Sequence, residues 1–185
     1  MQAVRSFIQA VRDGNPAECW EAWKYATHRG VATSAMRAAS RLSEVSRAVQ
    51  NMFLEHWILQ GDTIRCLVND DLVLMDGLRK LLPRYRGPGR KLYRGDAALN
   101  LRRRQYGLSW SADKDVARHF AQGTWQMLEG GSVLLEVDAP VRAIISTDAL
   151  VAENHDEAEY VVDRRQLRSV RVVERFSQRL TYPSL

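Results

Sequence analysis

The chain changes its hydrophobic rhythm once, and that change limits what it can fold into. Up to Leu82 the apolar residues recur at three- and four-residue spacing, the repeat of an amphipathic helix. Beyond Gly89 they fall into short runs with strand character. Between the two lies Pro83-Arg-Tyr-Arg-Gly-Pro-Gly89, which can continue neither helix nor sheet. The expectation is an α+β protein, with a helical part over residues 1–83 and a strand-rich part over residues 84–185.

In the first part Val4, Phe7, Ile8 and Val11 form one helical stripe, closed by Gly14 and followed by Pro16, which opens a second helix through Trp20 and Trp23 to about His28. Met36, Leu42, Val45, Val49, Met52, Phe53 and Trp57 predict one long helix from about Thr33 to Leu59, with Gly61 as its stop. Ile64 to Leu82 reads as a further helical stretch, although Thr63 to Val68 alone also fits a strand. In the second part strands are expected at Lys91–Arg94, Ser132–Asp138, Val141–Ile145, Ala158–Val162 and Ser169–Val173, with one helix from Ala112 to Gln122. There is no internal repeat and no low-complexity segment.

Composition narrows the class. No apolar run approaches the ~20 residues of a membrane span, and the first residues lack the apolar stretch of a secretion signal, so the chain is expected to start where the sequence does and to act in the cytoplasm, with export by a signal-free machine left open. Cys19 and Cys66 sit in apolar helical patterns without metal-ligand spacing, and both are expected as small buried hydrophobes. The net charge of +5 suits contact with polyanions but equally suits a solvated surface. Arg102-Arg103-Arg104 is the sharpest basic cluster, fit for phosphate or for an exposed loop.

Three short pieces carry chemistry. In Leu92-Tyr93-Arg94-Gly95 an arginine at the end of a strand has the two-point geometry for phosphate or carboxylate. In Ser109-Trp110-Ser111 alternation turns the serines to one side and the tryptophan to the other, and Ser111 also suits a cap on the next helix. In Glu157-Ala-Glu159 alternation puts two carboxylates on one face, where such neighbours raise the pKa of one of them; a polar turn before a strand is the plain alternative.

Taken in order, arginine, Ser-x-Ser and Glu-x-Glu resemble the arginine-serine-glutamate class of mono-ADP-ribosyltransferases, which includes bacterial toxins, effectors and phage enzymes. The resemblance runs from about Tyr93 to Glu174 and includes Ala117 and Phe120 of the helix and Val133–Pro140 of the intervening strand. It implies a catalytic core over residues 84–185, built as two small packed sheets with NAD, a co-substrate, bent across the cleft between them. It implies Glu159 as the residue that stabilises the cationic ribose, Ser109 as the residue that orients Glu159, and Glu157 as the base that prepares an acceptor, commonly a protein arginine. Arg94 would bind the NAD phosphates and Ser111 would secure the motif, with Tyr93, Trp110 and Phe120 as aromatics for the nicotinamide pocket. The middle position of Ser-x-Ser is more often small in this class, so Trp110 is a departure. Gly123–Gly131, with Trp125 inside it, stands where a mobile loop over NAD would lie.

Several features are set aside. His28, His56 and His119 lack metal-ligand spacing, no metal is expected, and His155 beside the acidic pair reads more readily as a solvated turn residue than as a proton acceptor. Trp20, Trp23 and Trp57 fit core stripes, and Gly87-Pro-Gly89 lacks the lysine of a phosphate loop. Transfer to nucleic acid, plain NAD hydrolysis and a non-catalytic polyanion-binding module are the competing readings; an antitoxin or immunity protein is a further expected partner of a toxin.

Overall fold

The structure, a computed structural model, describes residues 1–151 and 158–179. It is α+β and divides into two compact units, one comprising Met1–Arg84 with a short piece that starts at Leu150, the other starting at Tyr85.

The first unit is helical. α1 (Gln2–Asp13) ends at Gly14, whose φ of 76° is the left-handed conformation that a side chain resists and whose N–H reaches the Ala10 carbonyl. α2 (Pro16–His28) is capped by Asn15, whose side chain accepts from the N–H groups of Ala17 and Glu18. The single long helix expected from Thr33 to Leu59 is two helices, α3 (Ala32–Ala39) and α4 (Arg47–Val68). The break falls where Ser46 turns extended and accepts from the Val49 N–H at 3.3 Å, a local side-chain bond that starts a helix better than it continues one.

Nor does Gly61 stop α4. A Cβ there would stand 3.0 Å from the Trp57 ring, so the glycine leaves room for the tryptophan, and the helix runs on past a non-helical Gln60 to a left-handed cap at Asn69. Thr63–Val68 is therefore helix, and α5 (Asp71–Leu81) begins anew on the Asp70 cap. Phe7, Trp23 and Phe53 pack as a ring cluster at the centre, with Phe7 5.5 Å from Trp23 and 6.1 Å from Phe53. Cys19 is buried there and its thiol is pushed up to about 12 by burial. Cys66 is exposed, a correction to its expected burial, because α4 turns Ile64 and Val68 inward and the residue midway between them outward.

Among the described residues the second unit is an antiparallel sheet with two α-helices: β1 (Arg90–Ala97), α6 (Ala98–Arg102), β2 (Ser109–Ser111), α7 (Lys114–Gln122), β3 (Ser132–Ala139), β4 (Ile144–Thr147), β5 (Glu159–Val162) and β6 (Arg171–Phe176). Where two small sheets were expected, hydrogen bonds join all six strands in the order β4-β5-β2-β1-β3-β6. The join at the middle is narrow. β1 pairs along its whole length with β3, from Arg90↔Ala139 to Ala97↔Ser132, but meets β2 at the single register pair Tyr93↔Ser111.

The two faces of β1 have different neighbours. Leu92, with Val133, Leu135 and Val137 of β3, belongs to the apolar core that also holds Trp110, Tyr106 and Ile144. On the other face Gly95 lets α7 approach the sheet, since a Cβ there would stand 2.3 Å from the Ala121 nitrogen and 2.4 Å from the Ala117 oxygen. Arg118 of α7 forks onto Glu174 of β6, which ties the helix across the sheet.

Candidate active site

β5 brings Glu159 beside the Ser-x-Ser strand although some fifty residues separate them in sequence. The register is Ser111↔Glu159 and Ser109↔Val161, and residues paired across a ladder share a face. Tyr93, Ser111 and Glu159 therefore form one row across β1, β2 and β5, on the face that α7 covers at Gly95, with Ser109 diagonal to Glu159. Glu159 is 6 % exposed and Ser111 7 %, so the carboxylate does not face bulk solvent.

Glu159 is held by its peptide groups. Its N–H donates to Asp148 Oδ2 at 2.8 Å, and its carbonyl accepts from Thr147 Oγ1 at 2.9 Å. Just before it Ala158 adopts a φ of 43°, rare for a residue with a side chain, and its carbonyl accepts from the Ala112 N–H. On β4, Ser146 pairs with Val161 and so shares the Glu159 face; its hydroxyl is buried with no hydrogen-bond partner among the described residues.

Arg94 is placed differently from expectation. It lies inside β1 rather than at a strand end, and alternation directs it with Leu92 to the core face, opposite Tyr93. Its Nε donates to Asp96 Oδ2 at 2.6 Å and its Nη1 to the Ser109 carbonyl. Gly107 makes this possible, because a Cβ there would stand 2.0 Å from Arg94 Nη2.

Asp96, which sequence reasoning passed over, is the hub. Its two oxygens accept from Arg94, from the Ala97 and Gly107 N–H groups and from Asn100. Burial alone would raise its pKa, but the Arg94 charge and these hydrogen bonds outweigh it and hold the carboxyl below its ordinary value. The sequence did carry a signal: an acid two residues from a strand arginine shares its face.

The aromatic candidates separate. Trp110 is 2 % exposed in the core, with its indole N–H on the Gly107 carbonyl and its ring edge-on to Tyr106 at 5.9 Å, so it fills the core rather than a ligand pocket. Phe120 is 46 % exposed on α7, and Tyr93 is half-buried in the serine–glutamate row. Ser111 does not cap α7. Asp113 does, accepting from Asp115 and Val116, while Ser111 Oγ accepts from the Asp113 N–H and fixes the turn between strand and helix.

Gly123–Gly131, expected as a loop over the site, contains a 3-10 turn at Thr124–Met127 bound to the segment after β6, with Arg179 N–H on the Gln126 carbonyl and Gln126 Nε2 on the Ser177 carbonyl. Glu157 and His155 lie outside the described residues. No cluster of metal-ligating side chains occurs among the described residues. Likewise, none of the described helices is long and apolar enough to cross a membrane. The chain matches no family model, no curated protein and no solved structure.

Proposed function

We propose that the unit from Tyr85 onward is a mono-ADP-ribosyltransferase core that cleaves NAD at its nicotinamide–ribose bond and transfers ADP-ribose to a macromolecular acceptor, with a protein arginine as the favoured class. One observation carries the reading: the buried Glu159 on β5 is the register partner of Ser111 and the diagonal neighbour of Ser109, so this glutamate and the serine motif, distant in sequence, share one face of adjacent strands.

That arrangement suits a leaving-group reaction. As the C–N bond breaks, its electron pair leaves with nicotinamide and positive charge builds on the ribose. A preorganised carboxylate shielded from water stabilises such charge far better than a solvated one. Glu159 has that role in the proposed reaction, with Ser109 and Ser111 beside it. The Ser146 hydroxyl on the same face, which has no hydrogen-bond partner among the described residues, gives a polar substrate group one more partner. Glu157, next along the chain before Ala158, is the proposed base that takes the proton from the acceptor.

Arg94 takes a different part from the one the resemblance implies. With its guanidinium engaged by Asp96 and the Ser109 carbonyl, it acts in this reading by fixing the serine strand at the narrow join of the sheet. The join supports a functional division into two halves, β4-β5-β2 and β1-β3-β6, in place of two separate sheets.

The test is turnover of NAD by the purified chain, followed as nicotinamide release and as label transfer to lysate. Glu159→Gln is expected to abolish release, a loss of ~3 kcal/mol or more of transition-state stabilisation, with an unchanged circular dichroism spectrum. Unimpaired release by that variant refutes the assignment. Label that resists protease and yields to nuclease would move the acceptor to nucleic acid, and release without any transfer would make the protein an NAD glycohydrolase.

A further inference from the structure

We propose that Thr147 and Asp148 are positioning residues for Glu159, a role that rests on the reaction proposed above. They sit at the end of β4 and grip the two peptide groups that flank the glutamate: Asp148 Oδ2 accepts the Glu159 N–H at 2.8 Å, and Thr147 Oγ1 donates to the Glu159 carbonyl at 2.9 Å. Thr147 Oγ1 also lies 3.2 Å from Asp148 Oδ1, but its one hydroxyl hydrogen serves the nearer Glu159 carbonyl, so the two grips are adjacent and separate. Both residues are 5 % exposed.

The grip falls where the ladder needs it. β4 and β5 pair at Thr147↔Tyr160 and Ser146↔Val161, with a register irregularity between Ile144 and Ser146, and no β4 residue pairs with Glu159 itself. Beyond Thr147 the chain turns into a 3-10 segment at Asp148–Leu150 and the ladder stops. Glu159 is the first residue of β5 and follows the left-handed Ala158, so strand pairing on that side does not reach it. Two side chains replace the missing ladder bonds. A charged acceptor on a backbone N–H makes the stronger kind of hydrogen bond, and burial keeps water from competing for it.

Fixing the peptide fixes the direction of the Cα–Cβ bond, and so the place the carboxylate occupies. A carboxylate that must lie against a developing cation loses much of its effect when displaced by about 1 Å. Neither Thr147 nor Asp148 needs to touch substrate for this.

The experiment compares Thr147→Val, Thr147→Ser and Asp148→Asn with wild type in steady-state NAD cleavage, with melting curves for each. Thr147→Val keeps the shape and removes the donor; its kcat is expected to fall about tenfold or more while KM changes little, measured well below its melting temperature. Thr147→Ser, which restores the hydroxyl, is expected to recover most of the lost kcat. Asp148→Asn keeps an acceptor oxygen without the charge and is expected to fall between wild type and Thr147→Val. A folded Thr147→Val with wild-type kcat, or a fall in kcat that serine does not restore, overturns the positioning role while leaving the proposed reaction standing. Wild-type protein without NAD cleavage removes both.

Discussion

Asp96 is the residue on which the join between β1 and β2 depends. It is fully buried, and it holds Arg94, the Gly107 N–H and Asn100 at once. Replacing it with alanine leaves the Arg94 guanidinium buried without its counter-charge, a change that typically costs ~3–5 kcal/mol. Asp96→Ala is therefore expected to lower the denaturation midpoint sharply in chemical unfolding; an unshifted midpoint would show that the pair contributes nothing net. The depressed pKa adds a pH dependence. A carboxyl whose folded pKa lies below its unfolded value of 3.8 contributes stability that is complete above that pH and is lost as pH falls through the folded value. Acid titration followed by fluorescence should accordingly show loss of stability below pH 3.8 that Asp96→Asn, already lacking the charge, does not share to the same extent.

At the scale of elements, the close seat of α7 on β1 determines which face of the sheet is covered. Gly95 is the contact point, and the atoms a Cβ would meet are backbone atoms of Ala117 and Ala121, which cannot turn aside as a flexible side chain does. Gly95→Ala must lift the helix, at an expected cost of about 1–3 kcal/mol for overpacking. Because α7 lies on the face that carries Tyr93, Ser111 and Glu159, the variant is also expected to lower NAD cleavage. Thermal melting and nicotinamide release measured together check this; a variant as stable and active as wild type would mean the helix has slack at that point. The Arg118–Glu174 fork is open to solvent, which screens such a pair, so it guides the helix more than it holds it.

For the whole molecule, the helical unit closes a core of its own. Phe7, Trp23, Phe53 and Leu54 are all buried, and α1, α2, α4 and α5 each carry a local stop or start signal. A fragment of residues 1–84 is expected to fold by itself, with a helical circular dichroism spectrum and one cooperative melt. A broad, non-cooperative melt would show that this core is completed by the rest of the chain. Since Glu159 and its neighbours belong to the other unit, the fragment should have no NAD-cleaving activity.

What the sequence determined by itself was whatever depends on near neighbours along the chain. The change of period at Pro83, the Gly14 stop and Pro16 start, the alternation of Ser109, Trp110 and Ser111, and the strand that opens at Ser132 all follow from local sterics and spacing. The errors were also local in origin. An apolar stripe could be followed across Ser40–Ser46 because periodicity does not register a cap, and Gly61 looked like a stop because its real purpose, space for the Trp57 ring, belongs to packing. Only the tertiary structure decided the reach of Arg94 to the Ser109 carbonyl, the hold of Asp96 on the Gly107 N–H, and the grip of Thr147 and Asp148 on Glu159. Strand order and register bring those groups together, and both are fixed by long-range pairing and burial, which no short window of sequence records.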